Sequence, residues 1–233
     1  TPTLTPPTEV ASVRDIADTH ATSLSSNSAA TAPAVGRGSA ADESPTAETL
    51  GLRYKLADAY RLSAAGITAG FAAAMPDSQR RELEHSHRDR LEQAMGLFDD
   101  VQRGYEKRAK RSALDALRLR NAYFYQADCA FELRDYDAAI RLYDTAKERY
   151  PKDAASLVAM VQIVAALLEQ GKAAEAVTAN LRAKRFYESL PDAAWDDPAL
   201  PMNRKQWESW LDSQTRLAGA ATEPGDQTKE APR

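Results

Sequence analysis

From Glu48 to Leu190 apolar residues return at every third or fourth position, and prolines and glycines cut that rhythm into lengths of one helix each. A period of three to four residues belongs to a helix with one buried face, whereas a half-buried strand needs strict alternation. The chain is thereby constrained to an all-α fold. Leu52, Leu56, Ala59, Tyr60, Ala64, Ile67 and Phe71 predict a first helix, which Pro76 ends, and Asp77 or Ser78 is placed to cap a second. The second carries Leu83, Leu91, Ala94, Met95, Phe98, Val101 and Tyr105.

A third helix follows from Leu114, Leu117, Phe124, Ala127, Ala130 and Phe131, and it gives way at Arg134, Asp135 and Tyr136 to a fourth from Ala138 to Tyr150. Pro151 stops the fourth because it lacks an amide proton and biases the residue before it away from helix. Ala154 to Glu169 is the fifth, Gly171 supplies the turn, and Ala173 to Leu190 is the sixth, stopped at Pro191. Short connections fold successive helices antiparallel, so residues 47–190 read as three helical hairpins. After the loop that follows Pro191, Asn203 can cap a last helix on which Trp207, Trp210, Leu211 and Gln214 share a face. Within 191–218 that helix is expected to cap the stack by covering Val177, Leu181 and Phe186.

The ends are of another kind. Residues 1–46 are rich in Thr, Pro, Ser and Ala with few large apolar side chains, too little to offset the entropy of ordering. Residues 219–233 are polar, so both ends are expected to be disordered. The chain begins at Thr1 without a basic and then apolar leader behind it, which reads as a processed product or a piece of something longer. A net charge of -4 and a pI near 5.5 exert no general pull on nucleic acid or on an anionic membrane. The longest uncharged run, roughly Ala64 to Met75, falls short of the ~20 residues of a spanning helix. A single cysteine, Cys129, excludes an intrachain disulfide.

The stretch from Tyr123 to Pro151, YFYQADCAFELRDYDAAIRLYDTAKERYP, resembles a tetratricopeptide repeat. Tyr123 and Ala127 stand where that family pairs an aromatic with a small residue on its first helix. Ala139, Tyr143 and Ala146 stand on the second, before the terminal Pro151. The next unit is similar through Gly171, Ala176 and Ala183, but Asn180 occupies a position usually aromatic. Ala139 and Ala176 are 37 residues apart, slightly more than the family's ~34. The longer helices are similar to those of bacterial envelope tetratricopeptide proteins of the outer-membrane-assembly lipoprotein type. The resemblance implies an α-solenoid of three repeats, a periplasmic setting, and a protein or peptide partner bound by the first helix of each hairpin. By that analogy Asn121, Phe124, Asp128 and Phe131 face a groove from the middle unit, and Val158, Val161, Ala165 and Leu168 from the last. A homo-oligomer, as the self-assembling C-terminal part of a larger envelope protein, is the alternative.

Candidate chemistry is sparse. His85 and His87 sit among Glu82, Glu84 and Asp89, but two residues apart on a helix they diverge by about 200° and cannot hold one ion together. Cys129 is expected to pack between helices, and the Gly66 to Gly70 spacing to serve a close helix contact. The basic stretch from Arg103 to Arg120 lacks interleaved aromatics for base stacking and reads as a solvated junction. No nucleophile elbow, phosphate loop or zinc spacing is present in the sequence, so an enzyme, a cofactor and a metal are not expected.

Overall fold

The computed structural model describes residues 45–70, 75–196 and 200–222, with side chains as far as Ser213 except that of Asp196. All regular structure among them is helical: α1 (Ala47–Ala69), α2 (Asp77–Glu106), α3 (Ala113–Glu132), α4 (Tyr136–Arg149), α5 (Ala155–Glu169), α6 (Ala173–Ser189) and α7 (Arg204–Thr222), with a short 3-10 turn at Asp192–Asp196. Each helix packs on its neighbour in the chain, and α3 also touches both α1 and α5. The expectation of disordered ends falls almost wholly on residues outside the described set. At the C-terminal side the backbone of α7 stays helical through Thr222, past the boundary expected at 219.

Local chemistry explains most helix ends. Thr46 accepts the Thr49 amide at 3.1 Å, so α1 starts one residue before Glu48. Ser112 and Asp115 form a reciprocal capping box at the start of α3, and Asn203 with Gln206 does the same for α7. Asp135 accepts the Ala138 amide at 3.0 Å, which starts α4 at Tyr136 rather than Ala138. The turn before it needs Arg134 at φ 61°, while Gly171 takes φ 72° between α5 and α6. For α2 the expected cap is corrected: Pro76 precedes the first turn and no side chain caps it. Asp77 is instead inside that turn, where its charge favours the helix dipole.

Two apolar stripes are also corrected. On α1 the buried positions are Leu50, Gly51, Ala57, Arg61 and Ala64, while Leu52 is 62% exposed and Leu56 48%. Small residues win the interior because α1 lies close to α2. A methyl on Gly104 would stand 2.3 Å from a Leu50 methyl, so only glycine admits Leu50 there. Gly66, by contrast, has nothing within 4 Å of an added methyl, so the Gly66 to Gly70 spacing marks no close contact. On α3, Leu114 and Leu117 are 53% and 48% exposed, and its apolar interior begins at Leu119.

The core is continuous from α1 to α6, with Ala139, Tyr143 and Ala146 of α4 all in its interior. A second cluster joins Leu157, Met160 and Val161 of α5 to Ala183, Tyr187 and Leu190 of α6 and to Trp207, Trp210 and Leu211 of α7. The last helix thus covers α6 along Ala183, Tyr187 and Leu190. Leu181, expected beneath the indoles, is 46% exposed, and Phe186 and Val177 are half-buried. Asn180 and Ala183 lie on the stripe that does face α7, and Asn180 donates to the Leu211 carbonyl.

Candidate functional site

Asn121, Phe124, Asp128 and Phe131 follow Leu114 and Leu117 on one face of α3 at steps of three and four. The face grades from exposed to covered. Asn121 and Phe124 are each 7% exposed, and Asp128 and Phe131 are half-buried. Asn121 donates to the Tyr54 hydroxyl of α1 at 3.3 Å and accepts from Arg120, while Tyr150 packs on the Phe124 ring with centroids 6.0 Å apart. Arg120 also holds Asp153, just before α5, with its Nη2 donating to Oδ1 at 2.5 Å.

Around Asp128 the face is electrostatically loaded. The Tyr143 hydroxyl of α4 donates to one carboxylate oxygen at 2.6 Å. Arg61 of α1 is buried beside it, bonded twice to Asp58 and stacked 4.2 Å over the Tyr125 ring. Burial pushes the Asp128 pKa up to about 6, a rise that the Tyr143 hydrogen bond and Arg61 only partly oppose and Glu132 reinforces. His87 of α2 lies 3.4 Å from Glu132. Burial likewise pushes the Cys129 thiol up, and the thiol is enclosed, as packing between helices requires.

On α5 the four expected groove residues part company. Val161 is fully buried in the tryptophan cluster, Val158 packs half-buried against it, Ala165 is 7% exposed, and Leu168 is 38% exposed. α5 is almost entirely apolar and is enclosed from more than one side. Its burial could be read in the run ASLVAMVQIVAALLE, where only Ser156, Gln162 and the terminal Glu169 are polar, since a helix apolar on nearly every side must be covered on nearly every side.

The sequence reading missed a cleft of about 450 Å³ on the other side of α5. Its floor is Met160, Ile163 and Leu167, and its walls are α4 and α6. The signal was there in Ala174, Thr178 and Ala179, small residues in successive turns of α6 that leave a trough where larger ones would fill it.

The junction from Arg103 to Arg120 proves largely self-satisfied. Arg103 pairs with Asp99 and Asp100, Arg118 with Asp115 and Arg120 with Asp153, while Arg111 donates to the Tyr105 carbonyl. His85 is exposed, apart from His87. Among the described residues no group of three or more His, Cys, Asp or Glu is placed to hold a metal ion, and no helix is long and apolar enough to cross a membrane. Comparison with known proteins found no matching family model, no similar curated protein and no similar solved structure.

Proposed function

We propose that the chain is a non-enzymatic scaffold of the tetratricopeptide type that binds another protein along the exposed edge of α3. The resemblance of Tyr123 to Pro151 to that repeat supports this reading, as do the sequential packing of the helices and the contacts of α3 with α1 and α5. One observation carries it. Leu114 and Leu117, the two large apolar side chains of α3 that are half-exposed, lead directly into Asn121, Phe124 and Asp128 on the same face. An apolar edge running into a row that is already covered and hydrogen-bonded suits a segment that anchors one or two apolar side chains. The periplasmic side of a bacterial envelope is the setting that the resemblance favours.

A photo-crosslinking residue at Leu117 should trap one discrete protein in native extract, and the same residue at exposed Arg141 of α4 should not. Leu114→Glu should abolish the crosslink from the probe at Leu117 while leaving helicity intact. Equal crosslinking from Leu117 and Arg141 would refute the face. Self-assembly is the second reading, favoured by Leu52 and Leu56, exposed together one turn apart on α1. Sedimentation that shows a monomer at high concentration removes it.

A further inference from the structure

The cleft beside α5 is distinct from the α3 face and has a polarity of its own. The Gln170 side chain donates to Asp137 at 2.8 Å, and Gly171 makes the turn into α6. These contacts fix the antiparallel registers, so that Leu167 lies level with Ile140 and Glu175, and Met160 lies level with Lys147 and Arg182. One end of the trough therefore carries Arg182 and the Lys147 ammonium, the latter already paired, and the other carries Glu175. Asp144, between them, is committed to Lys147 at 2.7 Å, whereas Arg182 has no ion-pair partner among the described residues.

Size chooses among occupants. From Met160 to Leu167 the floor spans about two helical turns, roughly 10 Å, so a docked helix would seat only two or three side chains. That is far below the ~1,000 Å² of a stable protein interface. The volume lies instead within the ~300 to 1,000 Å³ of small-ligand sites, which pair an apolar lining with a few oriented polar groups. From the apolar floor, the open Arg182 guanidinium and the acidic far end, we infer that this cleft binds a small anionic amphiphile of the medium-chain carboxylate class. The carboxylate pairs with Arg182, and the chain lies along Met160, Ile163 and Leu167.

Calorimetric titration of the whole chain with decanoate, held below its micelle concentration, tests the assignment. One-to-one binding is expected, with decyltrimethylammonium at least tenfold weaker. Arg182→Glu, at an exposed position that leaves the fold intact, should weaken decanoate at least tenfold. Ala179→Phe should fill the trough and eliminate binding, with circular dichroism confirming its helicity. Should Ala179→Phe misfold, Thr178→Leu at the exposed rim serves the same purpose. No heat with decanoate, equal affinity for the two amphiphiles, or decanoate binding indifferent to Arg182→Glu each overturns the inference. A peptide that binds the cleft while decanoate does not would overturn it as well.

Discussion

The Asn180 side chain of α6 donates from Nδ2 to the Leu211 carbonyl of α7 at 3.0 Å, deep inside the protein where Asn180 is 1% exposed. A buried amide needs such a partner, and here the partner belongs to the covering helix, so the bond ties helix docking to one register. Asn180 is thus a residue that seats α7. Asn180→Leu, close in size but without a donor, should lower unfolding free energy by about 1 to 3 kcal/mol in urea. An unchanged midpoint would mean that the bond contributes nothing to docking.

Trp207 is fully buried and Trp210 4% exposed, with their rings edge to face at 6.5 Å. Their emission should be that of an apolar environment, and Trp207→Ala should cost about 3 to 5 kcal/mol through the cavity it leaves. A folded-state spectrum at the solvent-exposed limit would contradict the covering role of α7.

Ala139 and Ala146 are both fully buried where α4 crosses its neighbours, so Ala139→Leu should cost about 1 to 3 kcal/mol, read as a lower melting temperature. Gly104→Ala makes a sharper version of the same test. Its methyl collides with Leu50, so Leu50→Val should restore part of the loss, and strict additivity of the two changes would deny the contact.

Asp128 gives the protein a pH dependence of definite sign. Its native pKa, near 6, is above the ordinary carboxylate value of 3.8, so between about pH 4 and 6 the native state binds the proton and the unfolded state does not. Stability from this group therefore rises as the pH falls from 7 towards 4 and is lost as the pH rises through 6. Arg61, Tyr143 and Glu132 surround it, with His87 against Glu132, so the test is differential. Asp128→Asn should flatten the change in melting temperature between pH 7 and 4.5 relative to the unmodified chain. Parallel profiles would show that the slope comes from other groups.

Much of the helical order was legible because Pro151, Gly171, Pro191 and the cap at Asn203 act within a few residues of themselves. Which face each helix buries was less so. Leu52 and Leu56 satisfy the helical period, yet α1 turns Ala57 and Ala64 inward, because close approach to α2 rewards small side chains over greasy ones and a single sequence does not state that distance. For the same reason Val161 could be placed on a face of α5 but not beneath the tryptophans of α7, a contact set by residues some 46 to 50 positions away. The cleft escaped notice because a void is the absence of side chains, and apolar periodicity records only their presence.

The covering of α5 by α7 has a consequence for how the molecule ages. A protease that nicked the chain between Ser189 and Arg204 would spare every hairpin while freeing the tryptophan helix to leave. Leu157, Met160 and Val161 would then be left facing water in one sticky strip. Trimmed molecules should therefore adhere to one another while still helical, so that turbidity, rather than loss of circular dichroism, is the first sign of damage.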